Sequence, residues 1–218
     1  MTHEERLRLF RQTDLYVVIT ESFCAGRPAV KVLDWVLEAG VRLVQLREKE
    51  CSDRELYTRA CVFRERTAQA GALLVIDDRV DIALAVDADG VHLGNEDLPV
   101  SQARRLAPEL LIGASTHNRE EALAAQLAGA SYVNIGPIFP TQTKSVSCGA
   151  VGLEMISEVA PHLTIPWTTM GGIKFENIDL VLDRGARHVA VVTAVTAAPN
   201  VQEAAAALRA RILERRAN

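Results

Sequence analysis

The chain is poor in several kinds of residue, and each shortage excludes a class of protein. Aromatic residues make up 5% of the 218 residues, against 49% for hydrophobic residues as a whole, so a large core must be aliphatic. No apolar run is long enough to cross a bilayer. The net charge of −4 gives no reason to expect nucleic acid or an anionic membrane surface as a partner.

Cysteine is also scarce, and its spacing is irregular. The four cysteines form no CxxC pair, and no secretory leader precedes them. We therefore expect reduced thiols in a soluble cytoplasmic protein, with neither a cysteine metal site nor a disulfide framework. The cysteines are Cys24, Cys51, Cys61 and Cys148.

The sequence does contain a regular alternation of short apolar runs with helical patterns. Eight apolar runs of strand length are each followed by a segment with helix signals, and no composition break separates them. Before the first run, Thr2-His3-Glu4-Glu5 has the pattern of a capping box and predicts a short helix at about 2–12. The predicted strands are Leu15–Thr20, Val41–Leu46, Leu73–Ile76, Gly90–Leu93, Leu110–Ala114, Tyr132–Ile135, Thr164–Thr169 and His188–Val192.

The helical segments carry their own boundary signals. Ser52 and Glu55 form a second capping-box pattern, and Ser101 is predicted to cap a helix that Pro108 stops. Four of the strands are preceded by a glycine of the kind that ends a helix in the left-handed conformation. These glycines are Gly40, Gly71, Gly129 and Gly185. The predicted helices span about 28–38, 52–70, 82–86, 101–108, 118–128, 152–160, 177–183 and 201–216.

Eight such βα units predict a barrel. Continuous apolar strands that alternate with helices indicate a parallel sheet whose outer face is covered. Eight units close most simply into an α/β fold of the (β/α)8 TIM-barrel type, here a single domain over 1–218. A doubly wound open sheet is the alternative, but no glycine-rich dinucleotide loop follows the first strand.

In such a barrel, catalytic groups lie at the C-terminal ends of the strands, and polar residues do follow the predicted strands there. After strand two, Gln45, Arg47 and Lys49 alternate, so they point to one side of an extended segment. The stretch 136–144 combines two prolines with hydroxyls and an ammonium group, which suits a phosphate or pyrophosphate, although alone it equally fits a surface loop. Paired backbone amides after the last two strands predict a phosphate cradle. The remaining clusters are Asp77–Arg79, His92 with Asn95–Asp97, Ser115–His117, Gly171-Gly172 and Val192-Thr193.

Taken together, these segments resemble thiamine phosphate synthase. The similarity runs in order from about Leu15 to Ala197, and its most specific parts are QLREK at 45–49 and PTQTK at 140–144. The resemblance implies a (β/α)8 barrel and a transferase of thiamine biosynthesis. Such an enzyme joins hydroxymethylpyrimidine diphosphate to hydroxyethylthiazole phosphate and releases pyrophosphate. The resemblance also implies a Mg²⁺ cofactor and reaction through a pyrimidine methylene cation.

The resemblance assigns roles to individual residues. Arg47, Lys49 and Lys144 would be catalytic, because their charges would neutralise the departing diphosphate. Asp78 and Asp97 match two carboxylates that hold Mg²⁺, which prefers hard oxygen ligands. The pyrimidine diphosphate site would comprise Gln45, Leu46, Arg47, Glu48, Lys49, Asp77, Ser115 and Lys144, and the thiazole phosphate site Thr141, Gln142, Thr143, Gly172, Val192 and Thr193.

Asp77 departs from the family pattern, which usually has asparagine at this position. A further carboxylate beside a diphosphate is unfavourable unless a metal or a lysine screens it. Two interpretations follow. Either Asp77 weakens substrate binding, or it pairs with a neighbouring cation such as Arg79 or Lys49 and belongs to the binding site.

Two other functions stay open at this point. A thiazole tautomerase on the same barrel would keep the phosphate cradle but has no need of a diphosphate site, so the cations and carboxylates above argue against it. A phosphate-binding regulatory barrel without catalysis would not need paired metal carboxylates. The expected partners are two small phosphorylated heterocycles, with neither nucleic acid nor a membrane, and assembly into a homo-oligomer stays open. His92 and His117 are interpreted as residues that orient loops by hydrogen bonding.

Overall fold

A closed barrel of parallel strands forms the centre of the protein. The computed structural model describes residues 1–141, 143 and 149–217. Each strand pairs with the next along the chain and the eighth pairs with the first, so the (β/α)8 barrel that the sequence predicts is confirmed. The strands are β1 Leu15–Ile19, β2 Leu43–Leu46, β3 Leu73–Asp77, β4 Gly90–Leu93, β5 Leu111–Thr116, β6 Tyr132–Ile135, β7 Trp167–Thr169 and β8 Val189–Val191.

Helices connect the strands on the outside of the barrel, and one further helix precedes them. Both predicted capping boxes are present. Thr2 and Glu5 exchange side-chain and backbone hydrogen bonds at one helix start, and Ser52 and Glu55 do so at another. The α-helices are α1 His3–Gln12, α2 Ala29–Glu38, α3 Asp53–Gln69, α4 Val80–Ala85, α5 Val100–Leu106, α6 Arg119–Leu127, α7 Glu154–Val159, α8 Ile178–Leu182, α9 Thr193–Thr196 and α10 Val201–Ala217.

Several element boundaries differ from the sequence predictions. Ser101 does not cap α5, because Pro99 occupies the N-cap position and the helix already begins at Val100. The seventh strand begins at Trp167 and not at Thr164, since Pro166 has no N–H to give to a ladder. The single turn of α9, directly after β8, was not predicted. The four helix-ending glycines do adopt positive φ angles.

The side chains of each strand alternate between two packed layers. Those that point outward form the larger aliphatic core between the barrel and the helices, as at Val17 and Val44. Those that point inward form a smaller cluster near the N-terminal ends of the strands, which includes Tyr16, Leu43 and Tyr132. Phe10 of α1 joins this inner cluster and stacks on Tyr132, with ring centroids 4.6 Å apart. Helix α1 therefore closes the N-terminal end of the barrel, and the C-terminal end stays open.

Three of the four cysteines lie within the described residues. Cys24 is buried, Cys51 is partly buried and Cys61 is exposed, and all three are free thiols. Cys148 lies outside the described residues. Among the helices within the described ranges, none is both long and apolar enough to span a membrane.

Candidate active site

The C-terminal ends of the strands surround an open pocket. Its floor is made by inward-pointing residues of the barrel, and its walls are made by the loops that follow the strands. Polar clusters that are far apart in sequence therefore meet at one place. The site residues proposed from the sequence that line this pocket are Gln45, Arg47, Asp77, Ser115, Thr141, Thr143, Gly172, Val192 and Thr193.

A cluster of ion pairs borders the pocket above β2 and β3, where Arg47 and Asp77 line the wall and Lys49 and Asp78 lie next to them. The buried carboxylate of Asp77 has its Oδ2 atom 3.0 Å from Lys49 Nζ and 3.4 Å from Arg47 Nε. Lys49 also contacts the carboxylate of Asp78. Arg79 pairs with Asp53 and Asp81 instead. Of the two partners that the sequence offered to Asp77, the structure therefore selects Lys49.

Burial and crowding shift the titration of these carboxyl groups. Burial, with the neighbouring Asp78 charge, raises the pKa of Asp77 to about 6 against the opposing charges of Lys49 and Arg47. Burial alone would also raise the pKa of Asp78, but the hydrogen bond and charge of Lys49 hold it below its ordinary value. Burial and the adjoining Asp78 carboxyl raise the pKa of Asp97. Three carboxyl groups, those of Asp77, Asp78 and Asp97, therefore share two nearby cations, Lys49 and Arg47.

Local backbone structure brings Asp78 and Asp97 together. Asp78 has a left-handed φ of 60° in the turn after β3, where its N–H donates to the carbonyl of His92 at 2.8 Å. Asp97 is held in the loop after β4, because its Oδ2 accepts a 2.6 Å hydrogen bond from the Gly94 N–H. Within the described ranges, no group of three or more histidine, cysteine, aspartate or glutamate residues forms a ready-made metal site. Two adjoining carboxylates do fit Mg²⁺, which commonly takes its other ligands from water and substrate phosphates.

The opposite side of the pocket is built by the loops after β6, β7 and β8. Thr141 Oγ1 and Thr143 Oγ1 lie 3.0 Å apart, so the two hydroxyls face one position. The loop after β6 is tied to the loop after β7, because Phe139 N donates to Gly171 O at 3.0 Å. Gly172 has a positive φ, and a Cβ atom at this position would overlap Phe139 and the Pro140 carbonyl. Only glycine lets the two loops approach this closely.

Comparison with known proteins identifies the arrangement. Residues 15–195 match the family model described as thiamine monophosphate synthase. The thiamine-phosphate synthase of Pyrococcus horikoshii is 41% identical over 214 residues, which cover 98% of each chain. That of Chloroflexus aurantiacus is 44% identical over 198 residues, covering 91% of this chain and 92% of the relative. The chain belongs to the thiamine monophosphate synthase family.

A solved structure of the same family agrees with this assignment. Thiamine phosphate pyrophosphorylase from Pyrococcus furiosus superposes with a TM-score of 0.88 at 38% identity, covering 97% of this chain and 98% of that one. The resemblance drawn from the motifs is thus confirmed, and with it the assignment to a transferase of thiamine biosynthesis. Membership in this family favours the synthase over the tautomerase and over the regulatory barrel.

Several residues matched to the family lie away from the pocket wall. The Leu46 side chain is buried in the outer aliphatic core. Glu48 accepts a hydrogen bond from Glu21 N at 3.0 Å and pairs with Arg59 at 3.1 Å. Both alternate with Gln45, Arg47 and Lys49 along the chain, so both point the other way. The roles matched to Gln142 and Lys144 concern residues outside the described ranges.

The pocket also contains residues that the sequence reasoning missed. Tyr16, Asn134, Met170 and Lys174 line it together with the proposed residues. Asn134 Oδ1 accepts a 2.8 Å hydrogen bond from Thr168 Oγ1 on the neighbouring strand. One sequence signal could have found Asn134, because it is a polar residue in the middle of an otherwise apolar predicted strand. Lys174 directly follows the Gly171-Gly172-Ile173 segment, and its ammonium group could have been added to the predicted phosphate cradle.

Proposed function

We propose that this protein condenses hydroxymethylpyrimidine diphosphate with hydroxyethylthiazole phosphate to give thiamine phosphate and pyrophosphate. The observation that carries the proposal is the arrangement of Arg47 and Lys49 beside the adjoining carboxylates of Asp78 and Asp97, in a chain of this family. A diphosphate needs cations on its oxygens, and a divalent cation needs carboxylates beside that diphosphate. A protein that binds only a monophosphate needs neither this pair of cations nor this pair of carboxylates.

The pyrimidine diphosphate would bind with its ring on the barrel floor and its diphosphate against Arg47 and Lys49. Gln45 and Ser115 are the polar groups on that floor that would contact the ring. Lys49 is held by Asp77 and Asp78, so substrate phosphate would compete with these carboxylates for its ammonium group. The ion pairs keep the lysine charged and in place before the substrate arrives, since the adjoining carboxylates raise its pKa against the opposing effect of burial.

Asp78 and Asp97 would hold Mg²⁺ with oxygen atoms of the substrate diphosphate. The chemistry supplied by that ion is neutralisation of the negative charge on the leaving pyrophosphate. The task of the two carboxylates is to fix its position relative to the reacting bond. Helix and loop contacts around them, such as the hydrogen bond from Gly94 to Asp97, preorganise this geometry.

The reaction would proceed by cleavage before attack. The bond between the pyrimidine methylene carbon and the diphosphate oxygen breaks, and its electron pair leaves with pyrophosphate. The ring's amino group stabilises the methylene cation, and the thiazole nitrogen then donates its lone pair to form the new C–N bond. No general base is required, so the protein's work is to stabilise charge and hold the two rings in line.

The thiazole phosphate would be held on the other side of the pocket. The hydroxyls of Thr141 and Thr143 and the backbone amides of Gly172 and Thr193 surround one region of the pocket wall. Lys144, outside the described residues, follows this segment and would bring a further ammonium group to the leaving pyrophosphate.

Because the three described cysteines are free thiols, we place the reaction in the reducing cytoplasm.

Direct coupling of the two substrates tests the proposal. Purified protein is incubated with both phosphorylated heterocycles and Mg²⁺, and thiamine phosphate and pyrophosphate are quantified. We expect the two products in equal amounts, with no reaction after the metal is removed by chelation. Isomerisation of a carboxylated thiazole phosphate without coupling would instead support the tautomerase, and binding without turnover would support a regulatory barrel.

A further inference from the structure

A continuous chain of hydrogen bonds crosses the interior of the barrel beneath the pocket. Gln45 Nε2 lies 2.7 Å from Tyr16 Oη, which lies 3.1 Å from Tyr132 Oη. Tyr132 Oη lies 3.1 Å from His92 Nδ1, and His92 Nε2 lies 3.0 Å from Ser115 Oγ. The chain joins five different strands and all five side chains are buried. We call these five residues the buried relay.

The two ends of the buried relay are the groups proposed above to contact the pyrimidine ring. Gln45 on β2 and Ser115 on β5 line the pocket, whereas Tyr132 packs below its floor between Phe10 and His92. Gly113 makes room for the relay, since a Cβ atom there would overlap both the Tyr132 ring and the His92 ring. The interior of the barrel thus contains a network of hydrogen-bonded side chains at a place where apolar side chains could pack instead.

The chemistry of the side chains gives the relay a direction. The amide nitrogen of Gln45 can only donate, so Tyr16 accepts from it and passes its own proton toward Tyr132. Tyr132 then donates to His92 Nδ1, so the imidazole carries its proton on Nε2 and donates to Ser115 Oγ. Burial raises the pKa of both phenols, which therefore stay protonated as this direction requires. The Ser115 hydroxyl proton and the Gln45 carbonyl oxygen remain for a ligand.

We propose that Tyr16, Tyr132 and His92 are positioning residues that lock Gln45 as a hydrogen-bond acceptor and Ser115 as a hydrogen-bond donor toward the pyrimidine. The inference rests on the proposed function and specifies its substrate. An aminopyrimidine offers an amino N–H to Gln45 and a ring nitrogen to Ser115. The analogue with a hydroxyl in place of the amino group, in its keto form, would set its oxygen against Gln45 Oε1.

The relay makes the two ends change together. Rotating the Gln45 amide to present its nitrogen to the ligand would place its oxygen against Tyr16. Tyr16 would then have to donate to Gln45, Tyr132 to Tyr16, and His92 would have to change tautomer. Ser115 would then donate its single hydroxyl proton to His92 and would have none left to donate to the ligand. A rotation of Gln45 that favours the hydroxy analogue would therefore remove the hydrogen bond that Ser115 donates to the ring nitrogen.

The matched pair Tyr132→Phe and Tyr57→Phe tests this coupling. Tyr57 lies on α3 with an exposed ring, outside the site, and serves as the control. The ratio of kcat/KM for the amino over the hydroxy pyrimidine diphosphate is measured for both variants and the parent. We expect Tyr132→Phe to lower this ratio by roughly tenfold or more, since a mismatched buried polar group costs at least that much. The KM for thiazole phosphate should not change.

A companion pair of variants at His92 separates positioning from packing. Glutamine can carry an N–H close to the Nε2 position of the imidazole, whereas asparagine is too short to reach Ser115. We expect His92→Gln to retain more of the parent's preference for the amino substrate than His92→Asn. Equal losses of kcat/KM for both substrates in Tyr132→Phe, with an unchanged ratio, would overturn the proposal and leave the relay a purely structural feature.

The tautomer of His92 gives a test that does not depend on turnover. Long-range ¹H–¹⁵N NMR correlations distinguish the two neutral forms, and the His92 signals are assigned by their loss in His92→Gln. We expect the proton on Nε2 in the ligand-free protein. A proton on Nδ1 would reverse the relay and overturn the inference. If the protein failed to couple the substrates while His92 showed the expected tautomer, the proposed function would fail and the relay's direction would stand.

Discussion

Both ends of the barrel bury carboxylates, but the two ends differ in how fully cations and hydrogen-bond donors surround these carboxylates. At the N-terminal end, Asp14 and Asp89 precede β1 and β4 and are almost completely buried. Asp14 accepts hydrogen bonds from Arg209 Nε at 2.9 Å and Arg209 Nη2 at 2.8 Å, in a two-pronged pair. Asp89 Oδ2 accepts from Arg64 at 2.7 Å and from the N–H of Leu74 at 2.9 Å. These carboxylates are matched by cations and donors of the fold itself.

The C-terminal end leaves its carboxylates incompletely matched. Lys49 is shared between Asp77 and Asp78, and Asp97 adjoins Asp78 without a cation of its own among the residues described. Groups that the fold satisfies completely stabilise it, whereas groups left unsatisfied at a pocket are available to a ligand. The comparison therefore assigns stability to one end of the barrel and function to the other, the division expected for this architecture.

The largest effect is expected at the N-terminal end. Asp89→Ala would leave Arg64 and the Leu74 N–H without their buried partner, so the free energy of unfolding should fall by about 3–5 kcal/mol. Urea denaturation measures this change. The kcat of the folded protein should stay close to that of the parent. A change below about 1 kcal/mol would show that this ion pair does not stabilise the barrel.

A buried histidine at the same end predicts a pH dependence of stability. Burial, with the nearby Arg216 charge, lowers the pKa of His188 from 6.5 to about 4. Protonation is therefore easier in the unfolded chain, so this stabilisation is complete above about pH 6.5 and is lost as the pH falls toward 4. The loss amounts to about 3 kcal/mol in the free energy of unfolding.

The measurement compares urea unfolding of the parent and His188→Gln between pH 7.5 and 4.5, where the variant should lose less stability. His162→Gln, an exposed histidine in the 3₁₀ helix Ala160–His162, is the control and should follow the parent. Parallel curves for all three proteins would exclude His188 as the source of the pH dependence.

A smaller effect is expected at Asp77. Because Lys49 and Arg47 already neutralise this carboxylate, its repulsion of a diphosphate should be weak. Asp77→Asn removes a competitor for Lys49, so the KM for the pyrimidine diphosphate should fall by about threefold, the scale of a partly exposed ion pair. Steady-state kinetics with each substrate varied in turn measures it. An increase above tenfold would show instead that Asp77 belongs to the binding site.

The smallest effect is expected at Lys174, at the edge of the pocket. Its exposed ammonium group would add one solvent-screened charge to the thiazole phosphate site. Lys174→Ala should raise the KM for thiazole phosphate by about two- to fivefold and leave the KM for the pyrimidine diphosphate unchanged. Lys31→Ala, an exposed lysine on α2, is the matched control. Equal values for the two variants would remove Lys174 from the site.

Much of the fold and of the candidate site could be predicted from the sequence, because the sequence signals for them are local. Strand order, both capping boxes and the helix-ending glycines depend on residues within a few positions of each other, and the rim clusters follow from the strands. The alternation that placed Arg47 and Lys49 on one side could also have placed Leu46 and Glu48 on the other. The resemblance to the family nevertheless grouped all four residues.

The remaining features depend on contacts between distant segments. The pairing of Asp14 with Arg209 joins the two ends of the chain, and the buried relay joins β1, β2, β4, β5 and β6. Neither leaves a periodic or local pattern. Tyr16 and Tyr132 read as apolar strand residues, and only closure of the barrel brings their hydroxyl groups together.

The division between the two ends is tested most directly by Asp78→Ala, with Asp89→Ala beside it. Coupling activity with Mg²⁺ and urea unfolding are measured on the same preparations. For Asp78→Ala we predict that kcat/KM falls by roughly 10²-fold or more, while the free energy of unfolding changes by less than about 1 kcal/mol. Asp89→Ala should show the opposite pattern. Full activity in Asp78→Ala at limiting Mg²⁺, or a loss of stability as large as that of Asp89→Ala, would contradict this account.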